Sequence, residues 1–476
     1  MRPSHLKIGL FGIGLDTYWP QFAGLQQRLE GYIGVVADKL ARPDVEVVNL
    51  GMVDNADKAF DAGHALRSAD VDMVFLYATT YALSSTVLPV VARAKVPVIV
   101  LNLQPEAAID YKALNAMGDR TRMTGEWLAY CAACPVPEIV NVFKRAKIPF
   151  HQITGVLHGD PHVWREVDGW VDAARVAYRM AHNRLGVMGR YYNGMLDIYT
   201  DMTLQCATFG GHVEVLEMDE LAALSQAVTP ADIDKRLNRF AQEFDVQADC
   251  DAHHLALAAR TSVALDRLVD KHQLGSMAYY YESVPGHVHE DIISSIILGS
   301  SLLTASGTPI AGEYEIKNAQ AMKIMDSFGA GGSFTEYYAA DFADDVVLMG
   351  HDGPGHSRIA QGKTKVRPLQ VFHGKVGSGL SVEMSVRQGP VTLLSVVEQT
   401  GGTLMLLCAQ AESVDGPIME IGNTNSRYRF SIGARGFIEQ WNSHGPAHHC
   451  AVGVGHIADR LHKLAALLNI SCVQVC

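Results

Sequence analysis

The feature that most constrains this chain is the alternation, through its first half, of short apolar runs with longer stretches of helical spacing. Leu6–Ile13, Val45–Leu50, Val71–Tyr77 and Val96–Leu101 are apolar, β-branched runs of strand length. Between them, Phe22–Leu40, Ala56–Ser68 and Ser84–Ala94 repeat their apolar residues with helical periodicity. An apolar run can be buried on both faces when it lies in a parallel sheet with helices packed above and below. The pattern then restarts. Leu185–Tyr192, Val213–Glu217 and Leu274–Tyr281 read as strands; Ala231–Phe244, Ala252–His272 and His289–Thr304 read as helices.

From about residue 326 the character changes. Phe334–Tyr338, Asp345–Met349, Val366–Phe372, Leu380–Val386, Val391–Glu398 and Thr403–Glu412 are short β-like runs with glycine turns such as Gly401-Gly402 between them. Regularly spaced short strands predict an antiparallel sheet or barrel. A helix over Gly455–Leu468 and a strand over Ser471–Val475 close the chain. The fold class expected is therefore α/β. Two Rossmann- or flavodoxin-like layered α/β domains (1–175 and 176–325) precede a C-terminal, mostly antiparallel β-barrel-like domain (326–476).

Charge and composition exclude several classes of function. A net charge of −12, with Lys and Arg dispersed, lacks the basic patch that nucleic acid or an anionic membrane requires. No run reaches membrane-span length. The start of the chain, Met1 to Lys7, enters a strand without an apolar signal segment, so a cytoplasmic location is expected. The eight cysteines have no framework spacing and read as reduced thiols. The pair Cys131-Ala-Ala-Cys134 has redox or half-zinc-site spacing, but no second such pair exists, and it is expected to be structural.

The first strand ends in Gly12-Ile-Gly14. With Gly9 this gives the wrong spacing for a dinucleotide loop, and no phosphate-binding loop follows. The polar and aromatic cluster Asp16-Thr-Tyr18-Trp19 lies just past that strand, where open α/β sheets bind ligands; it is a candidate substrate contact.

Four further stretches carry chemistry: Gly312-Glu313-Tyr-Glu315-Ile-Lys317, opening an amphipathic helix through about Phe328; Gly331-Gly-Ser-Phe-Thr-Glu336-Tyr-Tyr338; Gly350-His351-Asp352-Gly-Pro-Gly-His356; and Pro446-Ala-His448-His449. Taken singly, a Glu at a helix start can serve only the helix dipole, and loop histidines can be merely solvated. Carboxylates and imidazoles together, without cysteine, suit a divalent cation such as Mn²⁺, Co²⁺ or Mg²⁺ rather than structural zinc.

In this order the four stretches resemble the L-arabinose isomerase family and, more loosely, the L-fucose isomerase superfamily. The family's Gly-Glu-x-(Asp/Glu)-x-Lys motif is matched by Gly312, Glu313, Glu315 and Lys317, and its Gly-Gly-x-Ser-Phe-x-Glu-x-Tyr-like segment by Gly331 to Tyr338. Its Gly-x-His or Gly-His after a strand is matched at His351, and its Gly-Ala-His-His by Pro446 to His449. The resemblance implies that Glu313, Glu336, His351 and His449 hold the metal and that Glu313 and Glu336 are the acid/base pair. It further implies that His448, Lys317 and Tyr338 contact the substrate. It implies an aldose–ketose isomerase working through an enediol, with Mn²⁺ as cofactor, an open-chain sugar as substrate, and trimers or hexamers with active sites between subunits. The sequence departs from the family in its substrate-reading segments. No family-like Gln stands near Asp16, Pro446 replaces a glycine, and Asp352-Gly-Pro-Gly-His356 replaces a Met-Leu-Glu-Val-Cys-Pro type of stretch. The alternatives carried forward are another enediol reaction, such as epimerisation or isomerisation of a modified sugar or sugar acid, and a sugar-binding protein with the chemistry lost.

Overall fold

A computed structural model describes residues 5–370 and 378–476. Within it the chain divides into two compact units, the first running to Tyr178 and the second from Arg179 to Cys476.

The first unit holds strands β1 (Leu6–Ile13), β2 (Val45–Val53), β3 (Met73–Ala78), β4 (Val98–Gln104) and β5 (Phe150–Val156). They form one parallel sheet in the order β2-β1-β3-β4-β5. The alternating pattern predicts a layered parallel sheet of Rossmann or flavodoxin type, and the observed order is the flavodoxin-like one. Strand β3 is buried along its whole length because helices cover both faces, and that is why its sequence runs apolar without alternation. Asp16–Tyr18 forms a single 3-10 turn beyond β1, at the end of the sheet where such folds place ligands. The Trp19 indole donates to Asp54 Oδ2 at 2.8 Å, so this residue also braces the turn against the end of β2.

One cysteine expectation is corrected. Cys131 and Cys134 are joined as a disulfide rather than being reduced thiols. They fall in the turn between helices Arg120–Leu128 and Val136–Ala146, which brings their Cα atoms to 5.4 Å, within disulfide reach. The other six cysteines are free.

The second unit contains β6 (Arg184–Gly189), β7 (His212–Leu216), β8 (Asp245–Val246), β9 (Ser276–Tyr280) and β10 (Ile310–Ala311). These are followed by β11 (Gly331–Asp341), β12 (Val346–His351), β13 (Lys365–Gln370), β14 (Ser378–Glu383), β15 (Gly389–Gln399), β16 (Thr403–Ser413), β17 (Thr424–Phe430), β18 (His449–Val454) and β19 (Ser471–Gln474). Strands β10-β9-β6-β7 make a second parallel sheet. Strands β15-β18-β11-β12-β17-β16 are antiparallel neighbours throughout, and β15 also pairs with β16, so this ring closes on itself as the expected barrel. The last strand, β19, adds to β16 in parallel. The expected strand over Val366–Phe372 is β13, and its last two residues lie outside the described residues. It belongs to a small separate sheet, β14-β13-β8, rather than to the barrel.

The helix expected to open at Gly312 begins at Ile316, and it is not amphipathic. Of its residues Ile316–Ser327, all but Asp326 are buried, Lys317 and Lys323 included. It lies between the second parallel sheet and the barrel, packing on β9, β11, β15 and β18. A helix packed on two sides has no solvent face to alternate with. Among the described residues no helix is long and apolar enough to cross a membrane.

Candidate metal centre

The site is built where the loop before the buried helix meets three barrel strands. Glu336 lies on β11, opposite His449 at the start of β18 and Gly350 of β12, which precedes His351. These registers bring residues more than a hundred positions apart onto neighbouring strands. The His351 backbone is pinned in both directions by Thr424: its N–H donates to Oγ1 at 2.8 Å, and that hydroxyl donates to its carbonyl at 3.0 Å. The Phe334 ring packs against the imidazoles of His351 (4.6 Å) and His449 (4.3 Å) and limits their rotation.

Glu313 comes from the connection between β10 and the buried helix. It and Tyr314 both adopt left-handed backbone conformations, φ 56° and 61°. Each such non-glycine residue costs roughly 1–2 kcal/mol, so two in succession mark a place where surrounding structure overrides local preference. The Tyr314 N–H donates to the Tyr279 carbonyl at 3.0 Å and the Glu315 N–H to the Gly312 carbonyl at 2.9 Å, which holds the tight turn.

The result is a convergence of three imidazoles on one carboxylate. The Nε2 atoms of His449, His448 and His351 stand 3.5, 3.8 and 3.9 Å from Glu313 oxygens. The opposite ring nitrogens face other carboxylates. His449 Nδ1 is 2.5 Å from Glu315 Oε2, His448 Nδ1 is 2.6 Å from Asp197 Oδ2, and His351 Nδ1 is 3.5 Å from Asp352 Oδ1. A carboxylate can only accept, so Glu315 and Asp197 hold the proton of their histidine on Nδ1. In a neutral ring this leaves Nε2 as a lone pair aimed into the site.

Two overlapping ligand groups result: Glu313, His448 and His449; and Glu336, His351 and His449. In each, the candidate ligand atoms lie within 4.8 Å of one another. The buried atoms Glu313 Oε2 and His449 Nε2 have no hydrogen-bond partner, although only 3.5 Å separates them. Adjacent ligands on an octahedral cation stand about 3 Å apart, so this spacing and this oxygen-and-imidazole donor set fit a divalent cation.

The electrostatics separate the two glutamates. Burial works to raise the Glu313 carboxyl, but the surrounding imidazoles of His448, His449 and His351 outweigh it and hold the group below the usual carboxylate range. Burial above all raises Glu336; the Glu313 and Asp352 charges add to this, and His449 and His448 only partly offset it. Burial would lower His448, but its acceptors Glu313 and Asp197 prevail and push it up to about 9.

Residues 331–471 match the sequence profile of the L-arabinose isomerase C-terminal domain. Proteins named L-arabinose isomerase from a Nocardioides species, from Herpetosiphon aurantiacus and from a Shewanella species are each 23% identical to it. The alignments cover 71%, 66% and 65% of this chain and 68%, 64% and 64% of those proteins. The chain is similar to proteins named L-arabinose isomerase over about two thirds of its length.

The four residues expected as metal ligands lie close together, on β11, β12, β18 and the loop before the buried helix. His448 joins them at the rim, partly exposed. Tyr338, two residues beyond Glu336, is partly buried, its hydroxyl enclosed without a hydrogen-bond partner. Lys317 is buried and donates its ammonium to the Asp197 carbonyl at 2.5 Å, so it braces the segment that carries Asp197. Asp16, Tyr18 and Trp19 belong to the first unit. Sequence reasoning missed Glu315 and Asp197 as partners of the histidines. For Glu315 the signal was present, because it stands in the same motif as Glu313. For Asp197 no local signal exists, since it and His448 are 251 positions apart.

Proposed function

We propose that the second unit binds a divalent cation, Mn²⁺ with Co²⁺ or Mg²⁺ as substitutes, through Glu313, Glu336, His351 and His449, and interconverts an open-chain aldose and its ketose. The observation that carries this reading is the convergence of imidazole Nε2 atoms on Glu313, with Glu315 and Asp197 fixing two of those rings from behind. The kinship with proteins named L-arabinose isomerase supports the reaction class. When bound, the cation supplies Lewis acidity toward the substrate's carbonyl and neighbouring hydroxyl.

The protein's own groups do the proton work. One of Glu313 and Glu336 takes the proton from C2, and the other moves the proton between O1 and O2, through an enediol. Opposite shifts of two nearby carboxyls are what such a division of acid and base needs. His448, held by Asp197 at the rim, presents Nε2 to a substrate hydroxyl. A trimeric or hexameric, cytoplasmic enzyme with active sites between subunits is part of the same reading.

The test is an isomerase screen. Metal-stripped protein is given Mn²⁺ or Co²⁺ and a panel of aldoses, and ketose is measured with and without EDTA. Metal-dependent ketose from one or a few sugars is the expected result. Failure to bind either metal would overturn the reading, and metal uptake without turnover on any sugar would remove the reaction while keeping the site.

A further inference from the structure

The disulfide of Cys131 and Cys134 belongs to the first unit, in a stretch of sequence that the isomerase reading leaves unused. As a staple it has little to do. The cysteines are only three positions apart, and closing so short a loop removes little freedom from the unfolded chain. The two helices it joins are held by other means. The Thr80 hydroxyl, just past β3, donates to the Leu128 carbonyl at 2.8 Å, at the end of the first helix. In the second helix Glu138 accepts from the Ser84 N–H at 2.8 Å and from the Tyr81 hydroxyl at 3.2 Å, and Val136, Ile139 and Phe143 are buried. Arg28 pairs with Glu126 at 2.7 Å. The bond can therefore open and close with both helices in place.

The two cysteines differ in access. Cys131 is 2% exposed and follows the buried Leu128 and Ala129. Cys134 is exposed, as are Ala133 and Pro137 beside it in sequence. Trp127 is half exposed, and no residue from Trp127 to Pro137 carries a charge. Exchange begins when a thiolate reaches one sulfur of the bond, and access decides which sulfur that is. The hydrogen bond from Thr80 also sets this turn at the C-terminal end of β3, the edge where open α/β sheets meet their ligands.

We infer that Cys131 and Cys134 form a thiol–disulfide exchange site, with Cys134 as the sulfur that an external dithiol attacks. The dithiol's thiolate bonds to Cys134 Sγ, the bond to Cys131 breaks, and Cys131 leaves as a thiolate that takes up a proton. The partner's second thiol gives up its proton, attacks the mixed disulfide and closes the partner's own disulfide. Cys134 is released as a thiolate and protonated. Two electrons and two protons pass from the dithiol to the pair.

The test uses the full chain under native conditions in mixtures of reduced and oxidised dithiothreitol. The state of each cysteine is read by differential alkylation and peptide mass spectrometry. Cys131 and Cys134 should titrate together and reversibly, with the circular dichroism of the folded chain kept at both ends. Glutathione disulfide should modify Cys134 in Cys131→Ser at least about tenfold faster than Cys131 in Cys134→Ser, because access limits the rate. A bond that yields to dithiothreitol only in urea is a staple and overturns the inference. A pair that stays reduced in excess oxidised dithiothreitol overturns it too, and so do equal rates in the two variants. The wild-type titration decides the matter where a variant does not fold. None of these readouts involves metal or sugar, so the isomerase reading stands or falls separately.

Discussion

Glu315 shows how a residue can matter without touching a reacting atom. It is 1% exposed and accepts from His449 Nδ1, so it decides which nitrogen of that ring faces Glu313 and the proposed cation site. Partners of this kind are commonly worth 10- to 100-fold in metal affinity. Glu315→Gln keeps the shape and a neutral acceptor, and Mn²⁺ affinity by calorimetry should fall by about tenfold or more while the fold is retained. Glu336→Gln probes the other role: with Mn²⁺ still bound, turnover should drop by about 10²-fold or more, as for loss of a general base. Near-normal turnover would remove Glu336 from catalysis. His356 offers a stability readout outside the ligand set. It is 3% exposed, and burial above all lowers its pKa to about 4. It is thus neutral in the fold, while the unfolded chain protonates it near 6.5. The unfolded state binds the extra proton, so stability present above pH 6.5 is lost as pH falls from 6.5 toward 4, by up to about 3 kcal/mol. Replacing His356 with Gln should flatten that part of the curve, measured as urea midpoints at pH 7 and 4.5; an unchanged slope would assign the acid sensitivity elsewhere.

At the scale of elements, the site depends on how closely β12 and β17 approach. A Cβ on Gly350 would stand 1.8 Å from the Thr424 carbonyl oxygen, and this same pairing pins the His351 backbone. Backbone cannot yield as a flexible side chain would. Gly350→Ala should therefore lower the melting temperature and weaken Mn²⁺ binding together; loss of neither would show that the strands can part without cost. The elements also show what sequence patterning can and cannot disclose. Four strands of the first sheet were legible because a parallel sheet covered on both faces demands unbroken apolar runs of strand length, as in Met73–Ala78, whereas the edge strand β5, with its polar His151, Gln152 and Thr154, was not read as a strand. The helix Ile316–Ser327 was recognised but misjudged. Its buried Lys317, Asn318, Gln320 and Lys323 look like a polar face in one dimension, yet packing between sheet and barrel buries them. Strand β18 was not identified as a strand, although its first residue, His449, was singled out as a ligand.

For the second unit as a whole, a bound cation would act as a cross-link. It would join β11, β12, β18 and the strained loop at Glu313, groups that the unfolded chain cannot hold together. A ligand that binds only the folded state at about 100 times its Kd adds about 2.7 kcal/mol. Mn²⁺ should then raise the melting temperature of the chain by several degrees, EDTA should reverse it, and His449→Asn should abolish the shift. Equal melting with and without Mn²⁺ would argue against a preformed site. What the sequence by itself determined was the class of each region and the residue types of the centre. Apolar periodicity reports which side chains leave water, and a motif reports chemistry held within a few neighbouring positions. Only the tertiary structure decided which carboxylate stands behind which imidazole. The pairing of Asp197 with His448 spans 251 positions and arises from the meeting of a loop with a barrel edge, so no local pattern could encode it.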